Sequence, residues 1–354
     1  MCRGRPGRNN HPRVAGLTIR TTILKALVTG STGFIGSNLC RSLLTAGFKV
    51  RAFHRPDSSL MLLEDLPVEH ASGDITQPET ILNAMREVDF VFHTAARLGR
   101  PVVVEDLYKV NVLGTRYLLE AAMQSNVKRV IHTSTTAALG VPRRISHRQD
   151  NHLLMNENNT WNFPARWWPY GHSKYRAELE VQNAVARGLD AVIVNPSLVI
   201  GAGDINRIGG ETIIHAAQNL LFAAPAGGLN IVHIDDLVDG HLKAVEFGRR
   251  GERYILGGEN MTHLAYLNLL SRVVGVRAPR FTVPDWFLKS LASPIEVLAK
   301  IIPLPIGGDL PRKSGFFFYY STAKAKEDIQ FLNQRTTYKA VQEAYNWYCD
   351  HQII

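Results

Sequence analysis

Short apolar runs alternate with amphipathic stretches along the N-terminal half of the chain. The runs predict strands at residues 23–28, 49–55, 68–71, 88–93, 127–133 and 191–195. The stretches between them repeat apolar positions at helical spacing, as Phe34, Leu39 and Leu43 do after the first run. Strands that alternate with helices favour a parallel, doubly wound α/β sheet with right-handed crossovers. A ligand of such a sheet lies beyond the carboxyl ends of its strands.

The first strand ends in a glycine-rich turn that leads into a helix. Gly30 permits the tight turn, Gly33 lets a pyrophosphate approach the backbone, and Gly36 lets the helix pack close to the strand. The N–H groups and positive dipole end of the helix start then face the phosphates. Because a strand precedes this spacing and a helix follows it, we predict a dinucleotide site and not a ligand-free turn. The expected contacts are Thr29, Gly30, Thr32, Gly33, Phe34, Ile35 and Gly36.

The end of the second predicted strand indicates which dinucleotide binds. An acidic residue there would hydrogen-bond an adenosine ribose and favour NAD(H). Here Arg55 closes the strand and Arg51 lies within it. A guanidinium suits a ribose 2′-phosphate, so we predict NADP(H) in preference to NAD(H). The alternative is that Arg55 is a solvated surface arginine.

Later strand ends add further candidates for the same crevice. Asp74, followed by Ile75, can accept from an adenine amino group, or it can cap the helix that begins near Pro78. The small residues Thr94, Ala95 and Ala96 follow the fourth strand and let a cofactor pass close to the backbone.

Tyr170 and Lys174 lie four residues apart and therefore project from one face of a predicted helix. An ammonium beside a phenol favours the phenolate and lowers the phenol pKa. Such a phenol exchanges a proton with an alcohol or ketone while a nicotinamide exchanges a hydride. The Thr135 hydroxyl can hydrogen-bond the same substrate oxygen. A second pair of this spacing, Tyr320 and Lys324, lies far downstream, and we interpret it as packing.

The pattern divides the chain into three parts. We expect residues 1–22 to form a disordered basic arm. Residues 23–195 form a dinucleotide-binding domain of the Rossmann type, to which residues 231–257 return. Residues 196–230 and 258–354 form a smaller α/β lobe that we expect to bind the substrate.

Composition excludes several classes of function. The net charge of +9 is uneven, because residues 1–22 hold five arginines and no acidic residue. The excess positive charge lies in a terminal segment and not on one face of the fold, which argues against a nucleic-acid partner. No apolar stretch approaches the roughly 20 residues of a membrane span. Cys2, Cys40 and Cys349 are scattered, which fits a reducing compartment, so we expect a cytoplasmic protein.

Two other kinds of site are not expected. The histidines, among them His93, His132 and His233, show neither His-x-x-x-His spacing nor clustered carboxylates, so we expect no metal. Ser134 and Ser173 lack a glycine elbow, which argues against a serine that transfers acyl groups.

Five motifs together resemble the extended short-chain dehydrogenase/reductase superfamily, the group of NAD-dependent epimerases and dehydratases. In the order and spacing of that group, the chain carries Thr29-Gly30-Ser31-Thr32-Gly33-Phe34-Ile35-Gly36, His93-Thr94-Ala95-Ala96, Asn111-Val112-Leu113-Gly114-Thr115, Tyr170-Gly171-His172-Ser173-Lys174 and Asn195-Pro196-Ser197. The match covers residues 23–350. The segments 195–204 and 254–260 resemble the dihydroflavonol-4-reductase-like branch, which includes the hopanoid-associated sugar epimerases.

The resemblance implies catalytic roles for individual residues. Tyr170 matches the catalytic acid/base, and Lys174 matches the lysine that binds the nicotinamide ribose and tunes the tyrosine. Thr135 takes the place of the catalytic serine of the family, with Ser134 as the alternative hydroxyl donor. Asn111 matches the asparagine that supports the proton relay.

The resemblance also implies contacts with the cofactor. Arg55 matches the arginine that reaches the 2′-phosphate in reductases of this branch. The backbone at Pro196, Ser197 and Val199 is implied to border the nicotinamide.

We therefore expect an NADP(H)-dependent oxidoreductase that interconverts a ketone and a secondary alcohol on a hydrophobic small molecule. Loop tryptophans such as Trp168 and the apolar residues 286–302 favour such a substrate. The alternatives for residues 286–302 are lobe core and weak contact with a membrane surface. The alternatives for the function are an NAD(P)-dependent nucleotide-sugar epimerase or dehydratase and a non-catalytic dinucleotide sensor. The sequence is compatible with a homodimer.

Overall fold

The computed structural model describes residues 23–98, 103–142, 154–298 and 309–354, so the predicted arm at residues 1–22 lies outside the described part. The strands are β1 (Lys25–Thr29), β2 (Lys49–His54), β3 (Glu69–Ser72), β4 (Phe90–His93), β5 (Arg129–Thr133), β6 (Ala191–Pro196), β7 (Leu198–Ile200), β8 (Ala224–Pro225), β9 (Gly228–His233), β10 (Arg253–Leu256), β11 (Glu259–Thr262) and β12 (Thr282–Val283). The helices are α1 (Phe34–Thr45), α2 (Pro78–Ala84), α3 (Val104–Tyr108), α4 (Gly114–Gln124), α5 (Pro169–Ala186), α6 (Glu211–Ala217), α7 (Ile234–Phe247), α8 (His263–Val274), α9 (Asp285–Leu298), α10 (Asp309–Arg312), α11 (Ala323–Ile329) and α12 (Thr337–Asp350).

A seven-stranded parallel sheet forms the centre of the fold, in the order β10-β6-β5-β4-β1-β2-β3. Strand β1 pairs with β2 on one side and with β4 on the other, so the strand order reverses beside it. The doubly wound α/β fold predicted from the apolar pattern is confirmed. At such a reversal two connections leave the sheet in opposite directions and open a crevice beyond the strand ends.

The two faces of this sheet explain why its strands read as continuous apolar runs. Ala26 and Val28 of β1 pack with apolar residues of α1 and α7. Leu27 points the other way and packs with apolar residues of α2, α4 and α5. Successive strand residues face opposite sides, so a sheet that is covered on both sides needs apolar residues at every position.

The remaining strands belong to a smaller lobe. Strands β7, β9 and β11 form one small sheet, and β8 pairs with β12. Helices α6, α8 and α12 pack against this part around a separate apolar cluster that includes Ile213, Leu270 and Val341. The chain enters the lobe where β6 ends. The lobe is therefore connected to the edge of the central sheet that the carboxyl ends of its strands form.

One predicted boundary needs correction. The sequence predicts that residues 231–257 return to the first domain. Helix α7 packs in the core of the central sheet, and β10 pairs with β6. Strand β9 instead pairs with β7 and β11 in the lobe sheet. Its Ile231 packs in the lobe core, while Val232 packs in the main core. An apolar run suits either sheet, so the pattern alone could not assign this strand.

No helix in the described segments is long and apolar enough to cross a membrane.

Candidate active site

A cavity of about 1130 Å³ opens beyond the carboxyl ends of the central strands. Its wall contains most of the residues expected at the site, namely Gly30, Thr32, Gly33, Phe34, Ile35, Gly36, Arg55, Asp74, Ile75, Thr94, Ala95, Ala96, Ser134, Thr135, Tyr170, Pro196, Ser197 and Val199. Three others, Thr29, Asn111 and Lys174, are buried and do not line it. The structure thus brings residues that are far apart in the chain to one crevice.

The glycine turn has two positions that tolerate no side chain. Gly30 has a φ of +67°, and a Cβ there would lie 2.8 Å from the backbone of Ala95. A Cβ on Gly36 would lie 2.2 Å from the carbonyl oxygen of Gly30. Gly36 therefore packs against the turn, and not against β1 as the sequence suggested. No side chain caps the N-terminus of α1, so its N–H groups and dipole suit a diphosphate in the cavity.

Arg51 in β2 and Arg55, which follows the end of that strand, have different roles. Arg51 is buried, and its guanidinium pairs with Glu69 and donates to the carbonyls of Ala84 and Arg86 at 2.6 and 2.8 Å. Arg51 therefore holds the C-terminal end of α2 against the central sheet. Arg55 lines the cavity and has a side chain that is 57% exposed. Arg55 is thus the guanidinium of this pair that faces the cavity.

Asp74 lines the cavity and does not cap the following helix. The N-cap of α2 is Gln77, and no side chain bonds there. Oδ1 of Asp74 instead accepts from the backbone N–H and the hydroxyl of Thr76, both at 2.7 Å. Burial raises the pKa of Asp74, but these hydrogen bonds and the charges of Arg55 and Lys109 outweigh it, so the pKa is held below its ordinary value. The capping alternative is wrong, and Asp74 presents a carboxylate to the cavity.

Tyr170 lies in the first turn of α5, where Pro169 at the first helical position fixes the start of the helix. Burial raises the pKa of Tyr170 to about 12, and a hydrogen bond with Thr135 lowers it only in part. The lowered pKa expected from Lys174 is therefore wrong for this structure. A phenol that stays protonated at neutral pH suits donation of a proton to a carbonyl oxygen.

Lys174 lies one turn further along α5 and points into the protein. Its Nζ donates to the backbone carbonyl of Thr133 at 2.8 Å. Burial lowers the pKa of Lys174 to about 8, and the negative charge of Glu178 raises it in part. The ammonium is therefore charged in neutral solution, and it lies at the end of β5, next to the residues that line the cavity.

The structure distinguishes the two hydroxyls that follow β5. Ser134 donates to the carboxylate of Glu178 at 2.5 Å. The Thr135 hydroxyl accepts from the backbone N–H of Ala137 at 3.2 Å and interacts with the phenol of Tyr170. Since the proton of Ser134 is already committed, Thr135 is the hydroxyl that can act together with Tyr170.

Asn111 lies in a π-helical turn between α3 and α4, a feature often found near functional sites. Its Oδ1 accepts from the backbone N–H of Arg97 at 2.7 Å, and its Nδ2 donates to the carbonyl oxygen of Arg97 at 3.0 Å. It also donates to Ser173 Oγ at 2.9 Å, and that hydroxyl donates to the carbonyl oxygen of Tyr170 at 2.7 Å. Asn111 therefore holds the first turn of α5 against the wall of the cavity.

Tyr320 is a residue that sequence reasoning missed. It lines the same cavity as Tyr170, and its phenol hydrogen-bonds with Thr136. Lys324 does not repeat the role of Lys174, because it pairs with Glu252 at 2.5 Å and donates to the carbonyl of Arg253. Nothing in the sequence around Tyr320 indicates that this segment folds back over the carboxyl ends of the central strands.

Part of the cavity wall is formed by apolar side chains of α9. Leu288, Leu291 and Ile295 of α9 line it. Among the described side chains of α9 only Ala292 is fully buried, and Trp286 is 69% exposed. The lobe-core interpretation of this helix is therefore wrong for residues 285–295, and residues 301–302 lie outside the described part.

A cluster of His233, Asp235 and Glu343 has ligand atoms within 4.8 Å of one another. Nε2 of His233 contacts Glu343 at 2.9 Å, and Nδ1 accepts from the backbone N–H of Asp235. Arg335 also pairs with Asp235. These bonds explain the cluster as the N-cap of α7, and the spacing of the residues in the chain could not reveal it.

The model of the NAD dependent epimerase/dehydratase family matches residues 26–257. A protein of Synechocystis sp. with the provisional name dihydroflavonol 4-reductase is 35% identical over 335 residues, which are 92% of this chain and 95% of that protein. Sterol demethylase protein B of Methylococcus capsulatus is 35% identical, over 84% of this chain and 87% of its own. The crystal structure of gox2253 has a TM-score of 0.80 at 34% identity and covers 92% of this chain and 98% of its own.

Proposed function

The chain belongs to the NAD-dependent epimerase/dehydratase family, and from this premise we propose that it is an NADP(H)-dependent reductase that interconverts a ketone and a secondary alcohol on an apolar molecule. Membership makes it an NAD(P)-dependent oxidoreductase that acts on CH–OH groups. The observation that carries the finer proposal is one continuous cavity. Its wall contains the glycine turn, three apolar side chains of α9 and Tyr170.

The residues present fit a dinucleotide. The two glycine positions at which a Cβ would clash leave a bare backbone surface, and the uncapped start of α1 adjoins it. Arg55 and Asp74 lie at the end where an adenosine would be bound. The nicotinamide end would then lie toward Pro196, Ser197 and Val199, on the side of Tyr170.

The proton and the hydride have separate sources. A bound nicotinamide coenzyme supplies or removes the hydride. The Tyr170 phenol, whose pKa is raised by burial, donates a hydrogen bond and then its proton to the carbonyl oxygen. Thr135 orients the same oxygen. Lys174, one turn further along α5, matches the lysine of the family that binds the nicotinamide ribose, and we propose that its ammonium makes this contact.

The apolar part of the cavity wall supports a substrate with a large apolar body. Leu288, Leu291 and Ile295 form one side, and the rings of Trp168 and Phe318, whose centroids are 5.9 Å apart, also line it. A nucleotide-sugar would need a second diphosphate cradle there. The printed name of the M. capsulatus relative refers to a sterol, which is consistent with an apolar substrate.

Arg55→Ala is expected to weaken NADPH binding about ten- to a hundredfold and to leave NADH binding almost unchanged. The reason is that a charge-assisted hydrogen bond to the 2′-phosphate is lost, and NADH has no such phosphate. Titration with each coenzyme, followed by tryptophan fluorescence, measures both dissociation constants. Arg86→Ala, an exposed arginine outside the cavity, is the control. Equal losses for the two coenzymes would remove the argument for NADP(H).

Turnover with a panel of substrates tests the proposed function. We expect the purified protein to oxidise NADPH in the presence of apolar cyclic ketones and not in the presence of nucleotide-sugars. Conversion of a nucleotide-sugar by tightly bound coenzyme without net NADPH consumption would show the epimerase instead. Coenzyme binding without turnover of any substrate would leave the non-catalytic sensor.

A further inference from the structure

A buried carboxylate under the candidate site has no role in the proton and hydride steps. Glu178 is buried in α5 and accepts three hydrogen bonds. They come from Ser134 Oγ at 2.5 Å, from Asn195 Nδ2 at 2.6 Å and from Arg253 Nη1 at 3.0 Å. The donors lie after β5, in β6 and in β10. One side chain therefore ties the helix that carries Tyr170 and Lys174 to three neighbouring strand positions.

The same network reaches the hydroxyl that acts with Tyr170. Nδ2 of Asn195 donates to Glu178 and also to the backbone carbonyl of Thr135 at 3.0 Å. Glu178 thus fixes the amide that holds the backbone of Thr135. Glu178 lies one turn after Lys174 on the same helix, so its charge acts directly on the ammonium.

The other titratable groups around the ammonium do not supply a negative charge. His93 and His132 face Lys174 from β4 and β5, and burial together with the ammonium lowers the pKa of His93 to about 3 and that of His132 well below its ordinary value, so both are neutral. On the far side of Glu178 lies Arg253, which is positive. Glu157, beside Arg253, hydrogen-bonds the backbone of Ile255 and has a pKa raised by burial.

We infer that Glu178 is a positioning residue that keeps Lys174 charged and holds Thr135 in line with Tyr170. This inference rests on the proposed function and on the match of Lys174 to the family's lysine that binds the nicotinamide ribose, a contact that needs a charged ammonium. Glu178 touches neither the coenzyme nor the substrate, because it does not line the cavity. Its effect is transmitted through Lys174, Ser134 and Asn195.

The pH dependence of NADPH binding tests this inference. Wild type is expected to bind less tightly as the pH rises and Lys174 loses its proton. Glu178→Gln keeps an oxygen that accepts from Ser134 and Asn195 but removes the charge. Without that charge Lys174 loses its proton more easily, so the midpoint of the binding curve is expected about one to three pH units lower. Fluorescence titration at a series of pH values measures the midpoint without any turnover.

Two variants separate charge from geometry. Glu180→Gln removes another buried carboxylate of α5, which pairs bidentately with Arg116 at 2.9 Å, and should leave the midpoint in place. Glu178→Asp keeps the charge but shortens the side chain, so we expect an unshifted midpoint with a lower kcat. An unshifted midpoint in Glu178→Gln, or an equal shift in Glu180→Gln, would overturn the inference alone. Absence of NADPH binding by the wild type at every pH would overturn the proposed function and this inference with it.

Discussion

Tyr170→Phe is expected to lower kcat for ketone reduction by about 10²- to 10⁴-fold. The variant keeps the ring and loses only the hydroxyl that donates the proton. Thr135 cannot replace it, because a neutral aliphatic hydroxyl is a much weaker acid than a phenol. Binding of NADPH should change little, since the diphosphate is held by the glycine turn and not by the phenol. Steady-state kinetics with the best ketone of the panel, together with a fluorescence titration of NADPH, separate the two effects.

The matched control for this variant is on the same helix. Tyr175→Phe removes a phenol hydroxyl from α5, and its ring stacks on Trp161 outside the cavity. Its kcat should stay near that of the wild type. A Tyr170→Phe variant that reduces ketones at the wild-type rate would refute the assignment of Tyr170 as the acid. Comparable losses in both variants would instead indicate general damage to α5.

Gly36→Ala is expected to weaken NADPH binding about ten- to a hundredfold and to lower Tm. The new Cβ would lie 2.2 Å from the Gly30 carbonyl oxygen and 2.9 Å from the Cα of Ser31. Both are backbone atoms, so α1 must move away from the turn, and overpacking of this kind costs about 1–3 kcal/mol. Alanine is otherwise the better helix former, which makes a loss of stability diagnostic of the close contact. Fluorescence titration and thermal melting measure the two effects.

Thr45→Ala, an exposed substitution in the last turn of α1, controls for changes in helix propensity. It should preserve both the NADPH dissociation constant and Tm to within a small change. Wild-type affinity in Gly36→Ala would mean that the dinucleotide does not depend on the close approach of α1 to the turn.

The part of the cavity wall around the glycine turn could be predicted because the patterns that indicate it are local in the sequence. The apolar run of β1, the glycines that follow it and the helical pattern of α1 are contiguous in the chain. Their spacing already implies a strand, a turn and a helix start. Since parallel strands of one sheet end at the same edge, the positions of Arg55, Asp74 and Thr135 near this turn followed from the order of elements.

The errors arose where burial or distant partners decide the outcome. A sequence shows that Lys174 is one turn from Tyr170, but it does not show that burial raises the phenol pKa or that Nζ bonds the Thr133 carbonyl. Likewise, Tyr320 reaches the cavity only because its segment pairs with Met155 and hydrogen-bonds with Asn260.

The amino-acid sequence by itself determined the doubly wound sheet, the glycine turn and the helix that presents Tyr170, because periodicity and turn chemistry act over a few neighbouring residues. Only the tertiary structure decided that Arg51 bonds the end of α2, that apolar residues of α9 line the cavity, and that Glu178 accepts from Ser134. Those facts depend on which surfaces lose contact with water and on residues that meet although they are far apart in the chain, 33 positions for Arg51 and Ala84 and 44 for Ser134 and Glu178.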